Sequence, residues 1–403
     1  MSDVSYLRST KAIRDRAEEI LEINLKDEGQ FFVDMNKMDE VADYIVKVIR
    51  DKYPRLDIPY HSRWGHFRVG GRDRVAEFLD KISDCDKEEQ ARCMFDLVIT
   101  SVLLDAGAGP DWKYTDEKGQ LLSRSEGLAI ASYDMFMAGA FSSEPEFEPC
   151  RADVSGLMSI TNEHIEKGFQ VSVGNPLVGT KGRAELMFRL GKACEANPEG
   201  LFGDEIKRPG HLFDAIIKTA DGNKIKGHKI LDVVLKALGP IWPGRVVMND
   251  INLGDCWMHD GLGSGPQSFV PFHKLSQWMS YSLLEPLEHA GYEVTDLHEL
   301  TGLAEYRNGG LIIDSGLVTP KSADAFERPW PPDSKLIIEW RALTIALLDR
   351  LAESVRGKLK KTQEEFPLVK VLEGGTWWAG RKLAQEMRDG TPPINIVSDG
   401  TVF

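Results

Sequence analysis

A lysine and a carboxylate define the chemistry this chain could carry. Read as the opening of a helix, Phe272-His273-Lys274-Leu275-Ser276-Gln277-Trp278 puts Lys274, Gln277 and Tyr281 at i, i+3 and i+7, on one polar stripe. Leu275, Met279 and Leu283 then share an apolar one. Further on, Leu300-Thr301-Gly302-Leu303-Ala304-Glu305-Tyr306-Arg307 supplies the acid. Two arrangements satisfy this spacing. In one, Lys274 and Glu305 form an ion pair or lie on separate solvated faces. In the other they meet across a cleft: the carboxylate sits below the anomeric carbon of a sugar, where it stabilises oxocarbenium-like charge or activates a water. The lysine then orients substrate or leaving group.

The elements that must position these groups read as helices. Val41, Tyr44, Ile45, Val48 and Ile49 follow helical spacing, as do Ala91, Met94, Phe95, Val98, Ile99, Val102 and Leu103, and both series predict amphipathic helices with one buried face. Leu336, Ile337, Trp340, Leu343, Thr344, Leu347, Leu348 and Leu351 predict a long buried helix face after the stop at Pro329-Trp330-Pro331-Pro332. Strands are expected to be few and short. The chain is read as a helical part over 1–150 and a second over 151–403, or as one continuous domain.

Between the first two helices, Ile58 to Arg72 holds Pro59 and Gly70-Gly71, which predict a loop or short extended piece. It carries His61, Arg63, His66, Arg68 and Arg72. A solvated basic loop anchored by Trp64 and Phe67 fits it, and so does a loop that binds an anion. The helix ending at Leu104 stops at Asp105-Ala106-Gly107-Ala108-Gly109-Pro110, which would bring Asp105 and Trp112 to a pocket rim. Its Gly-x-Gly ends a helix, whereas a dinucleotide fingerprint opens one. Asn249 to Gln267 reads as a polar loop, and its Cys256 and His259 are half of a zinc site with no second pair, so no metal is expected. The string Glu373-Gly374-Gly375-Thr376-Trp377-Trp378-Ala379-Gly380-Arg381 is not low-complexity, and the end from Asn395 to Phe403 is expected to tuck against the body.

Composition bounds the partners. The 403 residues carry a formal net charge of -14, which argues against nucleic-acid or anionic-membrane binding. A small anionic ligand remains compatible, because a few arginines prevail locally. The five cysteines are scattered without a CxxC pair, as suits thiols in a reducing compartment. The stretch from Met1 to Ile20 lacks the apolar core of a signal peptide. A cytoplasmic protein is expected.

Five strings in order carry a resemblance across nearly the whole length: His61-Ser62-Arg63-Trp64-Gly65-His66-Phe67, Leu104 to Gly109, Arg124-Ser125-Glu126-Gly127-Leu128, Leu303-Ala304-Glu305-Tyr306-Arg307 and Ser398 to Phe403. In these the sequence resembles the uracil catabolism protein 4 family, also called uracil-regulatable protein 3. That resemblance implies a place in a uracil-degrading route in which uracil becomes a nucleotide, the ring is opened to a ribosylurea species, and urea is released later.

The C-terminal half is also similar to the queuosine salvage nucleotide glycosidases. Phe272 to Gln277 resembles their Phe-Tyr-Lys-Arg-Ala-Gln, Leu300 to Arg307 their Leu-Thr-Met-Phe-Ala-Asp-Tyr-Arg, and Glu339-Trp340-Arg341-Ala342 their Glu-Ile-Arg-Gly. The resemblance implies a helical, DNA-glycosylase-like fold and hydrolysis of an N-glycosidic bond on a 5'-phosphorylated ribose. Lys274 matches their lysine. Glu305 stands at their aspartate, one methylene longer, which moves the carboxylate and bears on its role.

These readings converge on a mainly α protein that hydrolyses the bond between ribose C1' and a urea nitrogen, with Glu305 as key carboxylate and Lys274 as its partner. Asp105, Trp112, His61, Arg63, His66, Gln277 and Arg307 are the candidates for substrate contact, Arg307 equally as an anchor for its own helix. The expected ligand is a ribosyl or ribosyl-phosphate molecule, and no cofactor is called for. Two rivals stand beside it: an amidohydrolase attacking the urea carbonyl, which wants a metal or an activated Ser or Cys, and a non-catalytic nucleotide-binding protein of the same route.

Overall fold

A computed structural model describes residues 3–243 and 245–397, so the expected docking of the last residues lies outside the described part at 398–403. The protein is mainly helical, with strands of two or three residues paired into two-stranded sheets. Among the described residues, 3–61, 245–277 and 296–397 cluster into one compact unit, and 62–243 with 278–295 into another. The boundary expected at residue 150 is therefore not where the packing divides. Each unit is assembled from segments far apart in the chain, which local composition does not reveal.

The first unit is built on the Lys335–Leu359 helix. Ser334 caps it by accepting the Ile337 N–H, and Lys360 ends it in the left-handed region at φ 55°. Every residue from Leu336 to Leu348 is buried, so its first half is enclosed on all sides and only its second half has the single buried face expected. The Thr10–Leu25 and Met38–Lys52 helices pack against it. In the latter, Val41, Ile45, Val48 and Ile49 are buried as the periodicity requires, with Tyr44 half-buried. Phe31–Val33 pairs antiparallel with Val318–Pro320.

The last helix of this unit, Trp377–Arg388, follows Leu368–Val371 through a π-helical turn at Leu372–Thr376. Two glycines let that turn approach its neighbours. A methyl group on Gly374 would lie 2.4 Å from Ile58, and one on Gly375 2.6 Å from Ile45. Beside it runs the Tyr306–Asp314 helix, whose Arg307 carbonyl faces Gly380 and whose Asp314 accepts from Arg388 at 2.5 Å. Early residue meets early and late meets late, so these two helices run in the same direction.

In the second unit the Lys87–Leu103 helix is central. Asp86 caps it by accepting the Glu89 N–H at 2.8 Å. The amphipathic expectation fails here: from Cys93 to Leu103 every side chain is buried, polar ones included. Thr100 and Ser101 are buried with their hydroxyls satisfied, Thr100 within its own helix by the Asp96 carbonyl and Ser101 by Ser132 of the Arg124–Met137 helix. The segment expected as a loop also departs, forming a helical turn at Arg63–Phe67 before Gly70 and Gly71 adopt positive φ.

A close backbone approach between these two helices gives a direct test. A methyl group on Gly380 would lie 2.0 Å from the Arg307 carbonyl oxygen. Gly380→Ala is expected to lower stability by about 1–3 kcal/mol or more, as overpacking does. A urea midpoint equal to that of the unaltered protein would contradict this packing.

Candidate functional site

Three consecutive buried residues of the Lys335–Leu359 helix hold the segments that carry the candidate chemistry. Glu339 accepts the Gln30 backbone N–H at 2.6 Å and bonds His259 Nε2 at 3.0 Å. Trp340 donates its indole N–H to the Gly309 carbonyl at 2.9 Å, and a methyl group on Gly309 would lie 2.8 Å from that ring. Arg341 donates both terminal nitrogens to Asp255, each at 2.8 Å, and stacks over Phe272.

Asp255 sets the Lys274 end. Its carbonyl accepts the N–H groups of Phe272 and His273, and its side chain accepts the Lys274 N–H at 3.0 Å and the Trp257 indole N–H at 2.7 Å. The helix therefore begins at Lys274, two residues later than expected, because His273 adopts φ 48° to turn the chain out of the Phe269–Pro271 strand. A non-glycine residue there carries strain that surrounding contacts must hold. The His273 ring does so by bonding the Leu7 carbonyl at 2.9 Å, and burial pushes its pKa down. Burial alone would raise the Asp255 carboxyl, but the Arg341 guanidinium and the surrounding donors outweigh it and hold it well below the usual carboxylate range.

Lys274 is half-buried in this helix, while Leu275, Ser276 and Gln277 are buried. The polar stripe is thus turned into protein. Gln277 Oε1 accepts the Thr301 N–H at 3.4 Å, and its Nε2 is enclosed with no hydrogen-bond partner. That contact sets the first turn of the helix against the segment leading to Glu305, four residues on, or within roughly 14 Å even if fully extended.

Glu305 is the N-cap of the Tyr306–Asp314 helix. Its Oε2 accepts the Arg307 N–H at 2.7 Å and its Oε1 the Asn308 N–H at 2.6 Å. A carboxylate has about four acceptor positions, so both oxygens can still face a ligand. With both accepting at a helix N-terminus, the group is suited to offering negative charge and not a proton. Arg307 is buried and donates Nη1 to the Gly390 carbonyl at 3.2 Å, which fits the anchoring alternative.

His61 belongs to the same unit. Its Nδ1 lies 2.8 Å from Glu373 Oε2 and its ring packs 5.9 Å from Trp377. The other candidates lie in the second unit. Arg63 is wholly enclosed, paired with Asp105 at 3.0 Å, donating to the Ser101 and Ser125 carbonyls, and set 4.7 Å over Trp278. Burial lowers its pKa, against the pull of Asp105. His66 contacts Arg63 through Nδ1 at 3.2 Å. The solvated basic loop is therefore not what forms. Arg183 bonds the Leu104, Ala106, Val178 and Gly107 carbonyls and so shapes the turn after Asp105, and burial pushes its pKa down to about 10. Trp112 is fully enclosed with its indole N–H donated to the Phe169 carbonyl at 2.9 Å, which places it in the core and not at a rim.

Cys256 and His259, weighed as half a zinc site, turn to different surroundings. Cys256 sits among Val4, Leu7, Val246 and Leu253, while His259 meets Glu339. The role of Asp255 leaves no local signal, because its partner Arg341 is 86 residues away; the available pointer is Arg341 itself, within the string similar to that of the queuosine salvage glycosidases.

The Asp255–Arg341 pair has a pH signature. Because the folded carboxyl lies below its ordinary value of about 3.9, its stabilisation is present above that pH and is lost as pH falls through and below it. Asp255→Asn is expected to cost about 3–5 kcal/mol at neutral pH by stranding Arg341, and to flatten the fall in stability below about pH 4. Parallel stability curves for the two proteins would contradict this.

Known relatives agree with the resemblance carried by the five strings. The family described as "Protein of unknown function (DUF1688)" matches residues 6–403. "Protein urg3" of Schizosaccharomyces pombe is 39% identical over 417 residues, covering 99% of each chain. "Uracil catabolism protein 4" of Lachancea kluyveri is 38% identical over 442 residues, again covering 99% of each. With a match along almost its full length and this identity to both relatives, the chain belongs to the DUF1688 family.

Proposed function

We propose that this protein acts in uracil catabolism, as the printed name of its Lachancea kluyveri relative suggests, and that it hydrolyses the N-glycosidic bond of ribosylurea or its 5'-phosphate. The observation that carries this reading is the joint placement of Lys274 and Glu305. Each sits on a segment held by the same turn of one helix, Lys274 through Asp255 and Arg341, and Glu305 through the helix whose Gly309 bonds Trp340. In the reaction the C1'–N bond breaks, its electron pair and a proton go to the urea nitrogen, and the oxygen of water bonds to C1'. Glu305 offers negative charge beneath the carbon that becomes electron-poor. Lys274 orients the ureido group and supplies its proton.

The amidohydrolase rival draws less support from the side chains present. The thiols of Cys93, Cys150, Cys194 and Cys256 are all pushed up by burial, and that of Cys85 likewise, so none is held as a nucleophilic thiolate.

Purified protein incubated with ribosylurea 5'-phosphate is expected to release urea and a reducing sugar in equal amounts. Glu305→Gln, which keeps one capping oxygen, should cut kcat by about 10²–10³, the loss typical of removing a charge that meets the transition state. Turnover by this variant within a few-fold of the unaltered protein would remove Glu305 from the reaction.

A further inference from the structure

The string Glu373 to Arg381 has no part in the reading so far, yet it builds a second group of reactive side chains in the first unit. Glu373 lies in the π-helical turn, a feature often found at functional positions. Its Oε2 bonds His61 Nδ1 at 2.8 Å and its Oε1 accepts the Tyr53 hydroxyl at 3.3 Å. His61 packs against Trp377, over which Arg381 lies at 5.4 Å. An ionised carboxylate only accepts, so it selects the tautomer with hydrogen on Nδ1 and leaves Nε2, on the opposite edge of the ring, as the nitrogen able to take a proton.

The helix directions put this pair at the same end of two neighbouring helices as Glu305. The Tyr306–Asp314 and Trp377–Arg388 helices run the same way, with Arg307 level with Gly380. Stepping back two residues from Arg307 gives Glu305, and stepping back three from Gly380 gives Trp377, displacements of roughly 3 Å and 4.5 Å at 1.5 Å per residue. Packed helices stand about 8–10 Å apart, and the glycine contact shortens that. Glu305 and the His61–Glu373 pair thus sit at one end of the same two helices. Two further polar atoms at that end, Asn308 Oδ1 and Thr376 Oγ1, are enclosed with no hydrogen-bond partner, as expected where a ligand or water completes the site.

We propose that His61, held by Glu373 as its positioning residue, is the general base that takes a proton from the water attacking C1'. The assignment rests on the glycosidase reading. As the C1'–N bond breaks, the water oxygen bonds to C1' and its proton passes to His61 Nε2, while Lys274 gives a proton to the departing urea nitrogen. Solvent then returns both groups to their starting states. Glu373 stabilises the imidazolium formed; of the cations on the surrounding elements, Arg381 lies over Trp377 and Trp378, Lys52 over Trp378 and Lys370 over Tyr60.

Steady-state rates with ribosylurea 5'-phosphate across pH test it in the full-length protein. His61→Gln is expected to lose about 10²–10⁴ in kcat with little change in KM, and to lose the acid limb that a titrating imidazole imposes on the pH–rate profile. Imidazole added to His61→Ala should restore part of the rate. Should the His61 variants fail to fold, Glu373→Gln decides, since it keeps the ring and the size of its partner but favours the other tautomer; a kcat loss of about 10² or more is expected. A rate within threefold of the unaltered protein, a retained acid limb, or a change in KM alone overturns the base while leaving the glycosidase reading intact. If the unaltered protein does not turn over ribosylurea or its phosphate, both fall together.

Discussion

A single helical turn, Glu339-Trp340-Arg341, is the constraint on which the first unit depends. Its three side chains are buried and point to three different segments, so a long helix acts as a fixed bar to which otherwise unrelated pieces of chain are tied. The Arg341–Asp255 fork is the strongest of these ties, because planar bidentate geometry adds direction to charge. Burying that pair costs desolvation of two ions, and Asp255 recovers it by accepting from two further N–H groups. The result is a rigid start for the Lys274 helix even though His273 must adopt an unfavourable backbone conformation to reach it.

Rigidity of this kind is what a site for transition-state charge needs. Electrostatic stabilisation is effective when the charge is already in place and does not reorganise during reaction. Glu305 meets that condition: two backbone donors hold its oxygens, and the helix behind it is fixed by Trp340 at one side and by Gly380 and Arg388 at the other. A capping role and a chemical role are compatible here, since capping uses only part of the carboxylate's acceptor capacity.

Much of the helical framework was legible in the sequence, and the exceptions have one cause. Met38–Lys52 has water on one side, so its apolar spacing matched its burial. Lys87–Leu103 and the start of the Lys335–Leu359 helix are enclosed all round, and there hydrophobic spacing loses its meaning because buried Thr is satisfied within its own helix and buried Glu and Arg by partners far away in sequence. The same limit hid the Asp255–Arg341 and Glu373–His61 contacts: partners 86 and 312 positions apart leave no local pattern. The strings that carry the two resemblances include Lys274, Glu305, Arg341 and His61, but gave no indication that Trp112 would be core or that Arg63 would be enclosed by Asp105 and Trp278.

The central claim is that the bond broken is the one between ribose and the ureido nitrogen. The most direct measurement is carbon NMR on turnover of ribosylurea 5'-phosphate labelled with ¹³C at the ureido carbonyl. The account predicts that the label appears wholly as urea, with ribose 5-phosphate formed alongside. Label recovered as bicarbonate or carbamate would mean attack at the carbonyl, and would contradict the assignment of Glu305 and Lys274 to a glycosidic reaction.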